Sequence, residues 1–232
     1  NGWNFVSDNN DVRDTNGHGT LVAGLIAAQP SSPGAFTGVD PGALIMPLKV
    51  TDFAGNGNSV DVAAAVTYAA NAGAAIINLS LGGGTFSAAE QAAIDYARGE
   101  GVLVVIAAGN QGADAAAFWP AAVPGALTVA ASTPDDERAP YSNWGTVLDI
   151  TAPGTDLLSL RARYTDPLVF GGGDYQPGEN IEGSARLHYR ATGTSFATPL
   201  VAGTASRIWA QRPALRAADV RRMLLYSARD LL

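Results

Sequence analysis

Gly193-Thr194-Ser195-Phe196-Ala197-Thr198-Pro199-Leu200-Val201-Ala202-Gly203 is the stretch from which the rest of this 232-residue chain is read. A glycine turn there delivers one serine onto the first turn of a helix. Gly193 can take backbone angles closed to other residues, so the chain can bend sharply just before Ser195. Pro199 follows four positions later, where its missing N–H is expected to cost little because first-turn donors lack partners anyway. The positive field of a helix N-terminus favours negative charge on Ser195 or on something bound to it. On chemistry alone, Ser195 is either a helix cap or a nucleophile.

Working outward, strands and helices alternate. The pattern predicts helices over 18–28, 60–72 and from 88 to about Gly99 or Gly101, with Ser59 capping the second and a Ser87/Glu90 capping box opening the third. Two more close the chain, over 194–211 and 217–228. Strands are expected over 43–50, 74–80, 102–107, 126–131 and 148–152. The runs Ala74-Ala75-Ile76-Ile77-Asn78-Leu79-Ser80 and Val102 to Ala107 are apolar without alternation. Such strands belong to a parallel sheet covered by helices on both faces, a three-layer α/β domain. Sites in these sheets form at the carboxyl ends of strands. Residues 1–15 read as a polar surface loop, with Asp8, Asp11 and Asp14 as turn formers. Residues 161–190 lack periodicity and read as an irregular insertion, expected to be mobile and to border the cleft.

Composition narrows the function. Hydrophobic residues make up 47% and charged residues 15%, which fits a folded core and argues against disorder. With no cysteine, neither a disulfide nor a thiol nucleophile is available. A net charge of −7 argues against nucleic acid as a partner. No apolar run is long enough to suggest a membrane span, and no leader of the secretory type opens the sequence.

A second segment, Asn16-Gly17-His18-Gly19-Thr20-Leu21-Val22-Ala23-Gly24, sets His18 between two glycines at a helix start. Together the two segments resemble the histidine and serine motifs of the subtilisin-like serine proteases, the subtilases. The likeness covers nearly the whole chain, and histidine precedes serine in the subtilisin order. The glycine two places after the serine that marks an α/β-hydrolase elbow is absent, since Ala197 stands there. The resemblance implies a peptidase acting on polypeptides, with Ser195 as nucleophile and His18 as base. Asn110, in Ala107-Ala108-Gly109-Asn110, would give the oxyanion its side-chain amide. Ser80, Leu81, Gly82, Ala108, Gly109 and Phe118 would line the substrate site, and Phe118 would fill a pocket often left open by a small residue. His188 reads as a solvated loop residue.

A triad also needs a carboxylate behind the histidine. In subtilases that aspartate ends a strand well before the histidine motif, and Gly2-Trp3-Asn4-Phe5-Val6 resembles the family's segment downstream of it. The resemblance therefore implies a single domain over 1–232 without its N-terminal strand and C-terminal end, and an N-terminal segment that supplies the aspartate. Asp14 resembles a family loop residue and not the triad member. The family likeness also implies secretion and admits calcium, although the sequence offers no ligand cluster; the Asp135-Asp136-Glu137 turn reads as solvated. Two other readings stay open. One is a non-catalytic binding or scaffold domain. The other is a nucleotide-binding domain, weakened by the absence of GxGxxG or Walker spacing.

Overall fold

The computed structural model describes residues 2–32, 35–162 and 188–230. Strands β3 (Ile76–Leu79), β4 (Leu103–Ala107), β5 (Leu127–Ser132) and β6 (Ile150–Pro153) form a parallel sheet in that order. A parallel pair, β1 (Trp3–Asn4) with β2 (Leu48–Lys49), stands apart from it, and β7 (Leu157–Leu160) pairs antiparallel with β8 (His188–Ala191). All five residues of β4 are buried, and their side chains alternate between two cores. Val104 and Ile106 face helices α2 (Ser59–Asn71) and α3 (Ala88–Gly99). Leu103 and Val105 face α4 (Thr194–Gln211) and α5 (Ala217–Ser227). This two-sided burial is why the run shows no polar alternation, and each such side chain contributes about 1.5–3 kcal/mol. A third cluster joins Leu21, Val22 and Leu25 of α1 (His18–Ala27) to Tyr189, Ala191 and Phe196. It locks the starts of α1 and α4 together.

Several local expectations need correction. The α2 cap is Asn58, whose side chain accepts from the N–H groups of Val60 and Asp61, and Ser59 is already helical. Only the Ser87 half of the α3 capping box forms, with Glu90 N–H donating to Ser87 Oγ at 3.3 Å. Glu90 itself turns inward and is buried, which pushes its carboxyl pKa up. The strand expected over 43–50 shrinks to Leu48–Lys49, because Leu44 and Ile45 are exposed. Residues 163–187, most of the expected insertion and the ground for its mobility, lie outside the described residues. Its last three, 188–190, are strand and not irregular. His188 is buried and meets the Phe36 ring edge-on at 5.6 Å, so it is not a solvated loop residue. The apolar face beneath β8 overrides its polar sequence neighbours.

Candidate active site

The carboxyl ends of β3 and β4 and the N-terminus of α4 converge on one side of the sheet. Gly193 makes the turn there with φ 151°, and a Cβ on it would come within 3.3 Å of Asn110 Nδ2. Its N–H donates to Gly154 O at 2.8 Å, and Tyr141 Oη donates to the same oxygen at 2.7 Å. The turn before Ser195 is thus held against the end of β6.

Pro199 proves to matter more than its place in the motif suggests. As the sixth residue of α4 it lies past the first-turn donors, so the carbonyl of Ser195 loses its usual i+4 partner. Ser80 Oγ takes that role, donating to Ser195 O at 2.7 Å. Ser195 Oγ in turn donates to Ser80 O at 3.3 Å, and Asn78 Nδ2 donates to Ser80 Oγ at 2.9 Å. Ser80, expected only as a pocket residue, also anchors the serine.

Asn110 follows β4 directly. Its Oδ1 accepts from both the N–H and the Oγ1 of Thr194, each at 2.9 Å. Thr194 Oγ1 also accepts from Gly109 N–H at 3.1 Å. With the carbonyl side occupied by Thr194, the amide nitrogen lies near Gly193, 3.3 Å from where a Cβ on that glycine would stand. Thr194 is a residue that sequence reasoning passed over. Its hydroxyl stands inside the quoted motif, but a threonine in a helix's first turn gives no sign of which loop it holds.

His18 opens α1 and is half-buried, its ring 5.5 Å from that of Phe196, the neighbour of Ser195. Burial pushes its pKa down, opposed by the charge of Asp14. Among the described residues neither ring nitrogen makes a hydrogen bond. Burial would raise the Asp14 carboxyl, yet the Thr20 hydroxyl at 2.6 Å and the N–H groups of Gly17, Thr20 and Asn16 outweigh it and hold the pKa low. Gly17 is the N-cap of α1, and Asp14, three residues before it, accepts from donors at the helix start. With four donors on its two oxygens it has little left to offer an imidazole.

Beside Ser195 lies a cavity of about 90 Å³, lined by Leu81, Gly82, Ala108, Gly109, Asn110 and Phe118 among others. Of the residues expected to line the substrate site, Leu81, Gly82, Ala108, Gly109 and Phe118 line this cavity, and Ser80 does not. One wall is tied by Gly83 N–H donating to Trp119 O at 3.1 Å and by Trp119 N–H donating to Gly84 O at 3.2 Å. Phe118 is half-buried and belongs to none of the three cores. A shallower depression of about 620 Å³ between α2 and α3 holds none of the residues singled out for chemistry. Among the described residues no three His, Cys, Asp or Glu side chains are grouped so that they could hold a metal ion. Asp136 is instead paired with Arg229 at 2.6 Å. No helix among them is long and apolar enough to cross a membrane.

Comparison with known proteins agrees with this architecture. The subtilase family model matches residues 1–232. The chain is 40% identical over 230 residues to the cell wall-associated protease of Bacillus subtilis (strain 168), covering 99% of this chain and 23% of that protein. It is 35% identical over 210 residues to thermitase of Thermoactinomyces vulgaris, covering 90% and 67%. The extracellular serine proteinase of Thermus sp. (strain Rt41A) is 36% identical over 229 residues, covering 98% and 49%. A solved structure of a cold adapted subtilisin-like serine proteinase superposes with TM-score 0.83 at 31% identity, covering 99% of this chain and 74% of that one. The chain spans about a quarter of the length of the first of these relatives.

Proposed function

Because the chain belongs to the subtilase family, we propose that it forms the catalytic part of a serine endopeptidase. Ser195 Oγ attacks the scissile carbonyl, His18 takes its proton and later returns it to the leaving amine, and the oxyanion is held by Asn110 Nδ2 and the Ser195 N–H. The observation that supports this reading most is the Asn110 carboxamide. Two bonds from Thr194 fix its carbonyl, and its amide, in a cavity that Asn110 and Ser195 both line, makes no hydrogen bond among the described residues. A turn-forming asparagine would need no such orientation. Asn110→Ala should lower kcat by about 100-fold or more with KM little changed, because the amide meets charge present only in the transition state. A change confined to KM would contradict the role.

The carboxylate behind His18 comes, in this reading, from a strand outside residues 1–232. Two observations support it. Both ring nitrogens of His18 are unbonded among the described residues, and Asp14 is committed to the α1 N-terminus. The strands β2 and β3 also pack Leu48, Ile77 and Leu79 into one apolar cluster, yet no backbone bond among the described residues joins them. A parallel strand seated between them would satisfy both edges.

The substrate is a polypeptide whose backbone runs along Ser80-Leu81-Gly82 as an added strand. Phe118 narrows the pocket beside Ser195, so small side chains such as alanine are preferred before the scissile bond. Phe118→Gly should open it to large aromatic residues, raising kcat/KM for a phenylalanine substrate relative to alanine by about tenfold or more. An unchanged profile on a panel of peptide anilides would show that the ring does not border the pocket. An extracellular location, which the Thermus relative's name carries, is proposed here on that likeness.

A further inference from the structure

We infer that Asn143 is a positioning residue for the oxyanion site, acting through the backbone of Asn110. The inference rests on the proposed role of Asn110. Asn143 is fully buried, and its side chain uses its whole hydrogen-bonding capacity on one loop. Its Oδ1 accepts from the N–H groups of Gln111 at 3.0 Å and Ala113 at 3.1 Å. Its Nδ2 donates to Ala108 O at 2.9 Å and to Gln111 Oε1 at 3.1 Å. Its own backbone N–H donates to Gly109 O at 3.0 Å.

Two of these bonds fall on the immediate neighbours of Asn110, at the Gly109 carbonyl and the Gln111 N–H. They fix the peptide planes on either side of Asn110, whose side chain Thr194 then orients. The fit also explains a glycine: Gly109 has φ 99°, and a Cβ there would lie 2.5 Å from Asn143 Nδ2. A buried network with every group satisfied is rigid, and a donor aimed at a transient charge loses most of its value if it drifts by about 0.5 Å.

The test is a double-mutant cycle on the full-length protein, with kcat and KM measured on a peptide anilide. Asn143→Ala should lower kcat by about tenfold or more with KM within about twofold, and should lower it by less than about twofold when added to Asn110→Ala. An equal loss in both backgrounds, a loss carried by KM, or an unchanged kcat would overturn the inference. An Asn110→Ala variant with unchanged kcat would instead overturn the oxyanion reading itself. If the alanine variant fails to fold, Asn143→Leu keeps most of the volume while losing the acceptor for Gln111 and Ala113 and both donations. A fall in kcat that vanishes in the Asn110→Ala background again supports the inference, and the same fall in both backgrounds refutes it.

Discussion

Replacing Ser195 with alanine is expected to lower kcat on a peptide anilide by about 10⁶-fold, the loss measured in subtilisins when the nucleophile is removed. KM should stay within a few-fold, because the cavity beside Ser195 is lined mainly by residues 81–83, 107–111, Phe118 and Trp119 and owes little to the hydroxyl. The fold should also survive. Among the described residues Ser195 Oγ makes one bond, to Ser80 O at 3.3 Å, and the shorter bond from Ser80 Oγ to the Ser195 carbonyl does not involve the Ser195 side chain. Adding His18→Ala to Ser195→Ala should cost almost nothing further, since the two act as a unit. Independent, multiplicative losses would show that they do not.

The second large effect concerns the carboxylate. Material consisting of residues 1–232 alone is expected to turn over about 10⁴-fold more slowly than material that also carries the aspartate-bearing strand, the loss subtilisins show when only the aspartate is removed. It should also melt lower or aggregate, because among the described residues the facing edges of β2 and β3 have no strand between them to pair with. The pH profile gives an independent sign. A general base works only while neutral, so kcat/KM falls as pH drops through the His18 pKa. Burial holds that pKa down in the present arrangement, against the pull of Asp14. A carboxylate at the ring would raise it. The acid limb should therefore lie at higher pH in the strand-bearing material, even as its plateau rises. Intact mass, measured alongside turnover, establishes which material is being assayed. Full turnover from residues 1–232 alone would refute this part of the account.

Much of the site could be read from local chemistry, because its residues stand where elements end. Gly193 and the serine after it announce a helix start, and α4 runs over the expected residues. Asn110 stands shortly after the carboxyl end of β4, the most β-branched run. Alone it reads as a turn former, and its proposed oxyanion role comes from the family resemblance. What escaped were choices made between distant parts of the chain. Ser80 and Ser195 are 115 positions apart, and nothing near either residue tells that one hydroxyl replaces the helix bond Pro199 removes. Asn143 reads as an ordinary turn former in Tyr141-Ser142-Asn143-Trp144-Gly145. Its partners lie about 30 positions back along the chain, in a loop brought beside it by the pairing of β4 with β5. His188 failed for the opposite reason. Its neighbours are polar, and only the apolar cluster under β8 decides that it is buried.

The central claim, that Ser195 is an activated nucleophile, is tested most directly by treating the full-length protein with a fluorophosphonate and mapping the adduct by peptide mass spectrometry. The account predicts one modified serine, Ser195, with labelling slowed in His18→Ala and abolished in Ser195→Ala. Labelling that persists in Ser195→Ala, or a folded protein that takes no label at all, would contradict it and favour a non-catalytic binding domain.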